Sequence, residues 1–167
     1  MRILDPKFRQ NKLNYIGQCV LSTLTIFIVL LVLDAIQEAA IIASLGASAF
    51  IAFGMPHAQA ARPRYLLGGY AVGIFCGILC AYAAVWPPLA QLPVLQDSLP
   101  MVFGALAVGT SIFLMVLLNT EHPPAAGVAL GLVLGHCDVM TMLVVAVGIL
   151  GLTAAKTAMK PYLINLL

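Results

Sequence analysis

The chain is a succession of apolar runs, several of which are close to the length that crosses a lipid bilayer. Hydrophobic residues make up 62% of the sequence and charged residues only 8%. Too few polar side chains remain to cover the surface of a water-soluble domain. The sequence therefore predicts an all-α integral membrane protein with the lipid bilayer as its surroundings. Polar residues and prolines divide it into six apolar segments, at about residues 15–33, 39–54, 66–86, 99–118, 123–136 and 139–158.

The second and fifth segments, "AAIIASLGASAFIAFG" and "PPAAGVALGLVLGH", are shorter than the other four. As straight helices they would reach only about 20 to 24 Å, whereas a hydrocarbon core is about 30 Å thick. Two interpretations remain open for them. They either re-enter the membrane or cross it while neighbouring helices shield them from lipid.

Basic residues favour one arrangement of these segments, because Lys and Arg in short loops favour the cytoplasmic side. If only the four long segments cross, Arg62 and Arg64 fall outside. If all six cross, the N-terminal cluster, Arg62 with Arg64, and Lys156 with Lys160 all lie inside. We therefore predict six crossings with both termini cytoplasmic, in what we expect to be a bacterial inner (plasma) membrane. The basic N-terminus and the long first segment indicate a retained helix, not a signal peptide.

Six crossings make the chain one transmembrane domain, residues 1–167, composed of two halves of opposite orientation. The halves cover about 15–86 and 99–158 and are joined by the Pro-rich loop 87–98. Each half is long, short, long. Inverted repeats with a shortened segment at matching positions are typical of transporters, in which the short helices border the binding site.

Small residues recur at helical spacing in two segments, which predicts close helix packing. They are Gly69, Gly73 and Gly77 in the third segment and Gly127, Gly131 and Gly135 in the fifth. These smooth faces also offer contacts for a homo-oligomer, a dimer or larger. Cys76 and Cys80 share a helical face, but without nearby His or acidic partners they are interpreted as packing residues.

The sequence contains no pattern typical of other large functional classes. The net charge of +2 is small and scattered, and no basic stripe with interleaved aromatic residues indicates nucleic-acid binding. No HExxH-type cluster is present, and no serine or cysteine has a clear histidine partner. We predict no metal, no cofactor and no enzymatic activity, and an intramembrane enzyme is the least favoured hypothesis.

The polar stretch "NTEHPP" stands directly before the short fifth segment. Pro123 and Pro124 suit the first turn of a helix, and Asn119 or Thr120 can cap it. His122 would then lie beside the positive end of a short helix, where free N–H groups suit a small anion. The alternative is that His122 lies in a wet loop at the membrane surface.

"SLGAS" in the short second segment is a second candidate. Ser44 and Ser48 are on one helical face and flank Gly46, a place where a helix can loosen and turn hydroxyl and N–H groups towards a substrate. Alternatively, these small residues pack against the glycines of the third segment.

The motif "EHPPA" at 121–125 and the stretch 45–78, "LGASAFIAFGMPHAQAARPRYLLGGYAVGIFCGI", resemble the HPP family of small integral membrane proteins. The resemblance implies a multi-helix membrane protein and an association with nitrite transport. The family is often described with four spans, in conflict with the six predicted here. The chain departs from the family at Ser44, where many members have proline, and at 57–59, where a Ser-containing stretch is usual. The family's motif residues correspond to Gly46, Ala47, Ser48, Pro63, Arg64, His122, Pro123 and Pro124.

The leading hypothesis is a transporter or channel for a small inorganic anion, nitrite or a similar ion. A membrane scaffold that holds partners through its glycine faces is the alternative. Arg62 and Arg64 are either topology anchors or residues that attract anions. The predicted substrate-binding residues are Ser44, Gly46, Ala47, Ser48, Asn119, Thr120, His122, Pro123 and Pro124.

Overall fold

The computed structural model describes residues 12–14, 16–18, 20–21, 39–90, 98–135 and 137–166. In this part of the chain all regular structure is helical. The α-helices are α1 (Ala39–Gly54), α2 (Pro63–Ala84), the one-turn α3 (Pro87–Ala90), α4 (Leu99–Leu118), α5 (Pro123–Leu134) and α6 (Val139–Met159), with 3-10 turns at Gln59–Ala61 and Lys160–Tyr162.

The first predicted segment is only partly described. Its described residues up to Leu21 are helical. Positions 15, 19 and 22–33 of this segment lie outside the described residues, as do positions 91–97 of the Pro-rich loop. The inverted relation between the two halves therefore stays a prediction.

Three described helices are long and apolar enough to cross a membrane, namely α2, α4 and α6 with its 3-10 extension. The predicted shortness of the second and fifth segments is confirmed, since α1 has 16 residues and α5 has 12. At 1.5 Å per residue these helices are about 24 and 18 Å long. The helix α1 runs without a break through Gly46, so the predicted loosening at that position was wrong.

Proline and polar caps explain where the helices begin and end. Both α2 and α5 begin with proline in the first turn, where its missing N–H breaks no intrahelical bond. Asp138 caps α6 by accepting a hydrogen bond of 2.7 Å from the Thr141 N–H. Asn119 ends α4 in the left-handed conformation, with φ 52°.

The short helix α5 lies at the centre of the bundle, in contact with α1, α2 and α4. Its Val128 and Leu132 side chains are fully buried. Because neighbouring helices cover it, α5 does not have to match the thickness of the surrounding lipid. This arrangement agrees with the interpretation in which neighbours shield the short helices.

The contacts of the glycine rows show how α1, α2 and α5 run relative to one another. Gly69 of α2 faces His122, and Gly77 lies against Ala129, so α2 and α5 are parallel. Gly127 meets Ser44 of α1, whereas Gly131 meets residues nearer the start of α1, so α1 and α5 are antiparallel. Five of the six glycines in these rows therefore pack within the chain, namely Gly69, Gly73, Gly77, Gly127 and Gly131. Homo-oligomer formation stays a prediction, and it would need a different surface.

Basic residues gather at one end of the bundle. Arg62, from the start of α2, and Lys156, from the end of α6, line the same pocket. Arg64 donates a hydrogen bond of 3.2 Å to the carbonyl of Leu118 at the same end. Four crossings by the long segments alone would place Arg62 and Lys156 on opposite sides of the membrane. The shared pocket therefore favours the arrangement in which the short helices also traverse the bundle.

Candidate functional site

A chain of buried polar side chains joins α1, α2 and the turn before α5. The Ser48 hydroxyl lies 2.8 Å from the Tyr70 hydroxyl and 2.8 Å from Nε2 of His122. Nδ1 of His122 lies 3.0 Å from the carbonyl oxygen of Ala60 in the 3-10 turn. Tyr70, Ser48 and His122 are almost completely removed from solvent. We call Tyr70, Ser48 and His122 the buried polar chain.

The carbonyl of Ala60 fixes the direction of these hydrogen bonds. A carbonyl oxygen only accepts, so Nδ1 of His122 carries the proton and donates it to Ala60. In the neutral ring Nε2 then accepts from the Ser48 hydroxyl, which in turn accepts from Tyr70. Burial lowers the pKa of His122 to about 4, although its hydrogen bond to Ala60 opposes that shift. His122 is therefore neutral at physiological pH.

Close helix contacts hold the buried polar chain in place. A side chain at position 69 of α2 would overlap Cβ of His122. Because Gly69 has no side chain, the turn can approach α2 closely. The rings of Tyr70 and His122 are 5.7 Å apart at a tilt of 40°. A second set of hydrogen bonds ties the two turns together: Gln59 donates to the Tyr65 hydroxyl at 2.7 Å, and Tyr65 donates to Oδ1 of Asn119 at 2.9 Å.

Two buried oxygens in the turn between α4 and α5 have no hydrogen-bond partner among the residues that the structure describes. They are Oγ1 of Thr120 and Oε2 of Glu121. A buried acceptor without a partner costs about 1 to 3 kcal/mol. The turn that contains the histidine therefore holds two acceptors that could bond to a mobile donor such as water.

The sequence matches the family described as "HPP, transmembrane region" over residues 8–162. This chain belongs to the HPP family. The match includes all the described helices and both turns that carry the buried polar chain. The resemblance found from "EHPPA" and the stretch 45–78 is thus confirmed.

This HPP-family chain is also 37% identical over 103 residues to a transmembrane protein of Dictyostelium discoideum. The aligned region covers 62% of this chain and 33% of the relative, so the chain spans about a third of that protein's length. No solved structure matches.

The structure brings together some of the predicted site residues of this HPP-family chain and separates others. Ser48 and His122 are in direct contact. Ser44 is buried, but it bonds to the Ala40 carbonyl of its own helix at 2.7 Å and packs against Gly127. Gly46 has open space where a side chain would stand, and Ala47 is exposed. Of the "SLGAS" motif, only Ser48 reaches the histidine.

The His-Pro-Pro turn differs from its predicted form in two ways. The N-cap of α5 is His122, without a side-chain capping bond, whereas Asn119 caps the preceding helix α4. The predicted capping of α5 by Asn119 or Thr120 was wrong, because the chain needs all of 119–122 to reverse direction. Pro123 and Pro124 have no N–H, and the Ala125 N–H bonds to the His122 carbonyl at 2.9 Å. None of the first three residues of α5 therefore offers the free N–H group that the predicted anion site needs.

Sequence reasoning missed Tyr70 as a member of the buried polar chain. Its place among glycines in "GGYAVG" marks a large side chain on a face that is otherwise smooth, which is the signal that could have identified it. The predicted wet loop around His122 was also wrong, since the imidazole is fully buried with both nitrogens bonded.

Proposed function

We propose that this HPP-family protein transports a small inorganic anion, nitrite or an ion of similar size, across the membrane. The observation that carries the proposal is the buried polar chain of Tyr70, Ser48 and His122 inside an apolar bundle. Polar groups at such positions are costly to bury and are a common mark of a solute pathway. The resemblance to a family associated with nitrite transport supplies the substrate class.

The chemistry of these groups suits an anion. The hydroxyls of Tyr70 and Ser48 are hydrogen-bond donors that remain uncharged, so they can bind an anion without trapping it, while the imidazole N–H stays bonded to Ala60. An anion that reaches these hydroxyls would accept hydrogen bonds from Tyr70 and Ser48 in place of the bonds they make to Ser48 and His122. The basic residues at the same end of the bundle would raise the local concentration of anions.

Flux measurements in proteoliposomes test this proposal. We expect uptake of nitrite but not of a cation control, with nitrate, chloride and formate as competitors. Ser48→Ala and Tyr70→Phe should each lower the flux by about tenfold, since each removes one donor that contacts the substrate. Ser111→Ala is the matched control, because Ser111 is equally buried but bonds only to Val108 of its own helix.

If the Ser48→Ala and Ser111→Ala variants show equal flux, the buried polar chain is not part of the transport pathway. Absence of anion flux from well-folded wild-type protein would contradict the transport proposal altogether. The scaffold alternative gains no support from the glycine faces, because the chain uses them for its own packing.

A further inference from the structure

A basic pocket of about 510 Å³ lies at the end of the bundle that carries the His-Pro-Pro turn. It is bordered by the start of α2, the end of α6 and the loop that precedes the 3-10 turn. Its charged lining residues are all basic: Arg62, Lys156 and Lys160, with His57 beside them. No acidic side chain in the described part of the chain lines this pocket. We call it the basic pocket.

Lys156 is the unusual member of this set. It is only 4% exposed, although lysine is among the residues least often buried. Its ammonium has no hydrogen-bond or ion-pair partner among the residues that the structure describes. Lys160 lies one helical turn further on, and Arg62 approaches from another helix. The stem of Lys156 is buried while its ammonium opens into the pocket, so three positive charges face one cavity, an arrangement that a bound anion stabilises.

The residue types and the size of the basic pocket identify the class of anion. Three permanent cations from two helices match a multiply charged oxyanion better than a monovalent one. The Arg62 guanidinium can bond two phosphate oxygens at once, and the two ammonium groups act as point charges. The volume also leaves room beside a phosphate group for the rest of a phospholipid headgroup.

We propose that the basic pocket binds a phosphate group, with Lys156 as its central contact. The phosphate comes either from a free phosphate ion or from the headgroup of an anionic phospholipid. Its position at the end of α6 is within reach of lipid headgroups, and basic pockets between membrane helices are known to take them. The proposal goes beyond anion transport and does not depend on it, because binding is measured without flux.

The pocket is separate from the buried polar chain but close to it along the sequence. Ala60 accepts from His122, whereas Arg62, two residues later, lines the basic pocket. One 3-10 turn therefore lies between the two sites. A bound phosphate would stabilise the end of the bundle that also holds His122.

The test measures thermal unfolding of the purified full-length protein in nonionic detergent. Inorganic phosphate should raise the unfolding midpoint relative to chloride at the same ionic strength. The apparent affinity should fall about tenfold or more in Lys156→Met and Arg62→Gln. Arg64→Gln is the matched control, because Arg64 lies at the same end but bonds to Leu118 and does not line the pocket.

A second arm tests the lipid source. Nanodiscs of phosphatidylcholine alone are compared with nanodiscs that also contain phosphatidylglycerol, and lipid retained by the protein is measured by native mass spectrometry. Stabilisation in either arm that is lost in Lys156→Met supports the site and identifies its source. Without any anion, Lys156→Met should unfold at a higher temperature than wild type, since it removes one of three neighbouring positive charges. This result also shows that the variant folds.

Two results would overturn the proposal. One is that inorganic phosphate and phosphatidylglycerol each stabilise wild type and Lys156→Met equally, or that they stabilise neither protein. The other is a wild-type midpoint that rises as much with nitrite as with phosphate at the same ionic strength, which would make the pocket a site for monovalent anions. Neither result depends on whether the protein transports nitrite.

Discussion

His122 is held in place by hydrogen bonds to other protein groups, Ser48 and Ala60. Both of its ring nitrogens are bonded inside the bundle, and the ring is fully buried. In this conformation it is a member of a directed series of hydrogen bonds in which each donor has one acceptor. Breaking any member leaves another buried polar group without a partner, which costs about 1 to 3 kcal/mol.

The histidine also makes the stability of the protein depend on pH. Burial lowers the pKa of His122 to about 4 from 6.5, so the unfolded state binds more protons between these two values. The free energy of unfolding should therefore fall as the pH decreases from 6.5 to about 4, and change little from this cause outside that window. The upper limit of the effect is about 3 kcal/mol.

Unfolding midpoints of wild type and His122→Gln, measured from pH 7 to pH 4, check this expectation. The difference between the two curves isolates His122, because every other side chain is the same in both proteins. The wild-type curve should fall more steeply. Parallel curves would show that the buried imidazole is not the group responsible.

At the scale of elements, the contact between α2 and α5 decides the architecture. Gly73 stands where a side chain would overlap the backbone carbonyl of Ala125. Backbone atoms cannot rotate away as a flexible side chain can, so the two helices can approach this closely only with glycine at that position. The approach in turn brings the His-Pro-Pro turn against Gly69 and Tyr70.

Gly73→Ala should therefore push α2 and α5 apart and destabilise the protein by about 1 to 3 kcal/mol. Gly109→Ala in α4 is the control, since an added methyl group there meets nothing within 4 Å. Because alanine favours helix more than glycine by about 1 kcal/mol, the control should be neutral or slightly stabilising. Unfolding midpoints in detergent measure both. If Gly73→Ala and Gly109→Ala lower the unfolding midpoint by similar amounts, the close contact between α2 and α5 at Gly73 is not the cause of the destabilisation.

At the scale of the whole molecule, the ends of the bundle differ. One end carries Arg62, Arg64, Lys156 and Lys160. Trp86 lies at the opposite end, after α2, and it is exposed as expected of an aromatic residue at a membrane interface. Between the two ends, the outer faces of the long helices expose large apolar side chains, which suits contact with lipid tails.

This asymmetry predicts the orientation in the membrane. In a background without the four native cysteines, His57→Cys should react with an impermeant maleimide only from the cytoplasmic side. Val85→Cys, at the other end of α2, should react only from outside. Both positions are exposed. Labelling of His57→Cys from outside would contradict the six crossings and favour the four-span description of the family.

The sequence alone determined the class of protein and the positions of its helices. Apolar runs, prolines and caps act locally, so the bounds of α1 and α4 agreed with the prediction, and so did the shortness of α5. Ser48 and His122 could also be selected as candidate site residues, because their motifs are local and resemble those of the HPP family.

Only the tertiary structure decided which of these residues meet. Ser48 and His122 are 74 residues apart in sequence, and Tyr70 joins them from a third element. Helix packing also decides three further features. It buries His122, it leaves Gly46 and Ala47 away from the histidine, and it places Lys156 and Arg62 in one pocket. Helix periodicity specifies which face of a segment is smooth, but not which other segment covers it. The glycine face of α2 is covered by the His-Pro-Pro turn and α5, because their backbones approach closely at Gly69 and Gly73. This pairing depends on the packing of all the helices together.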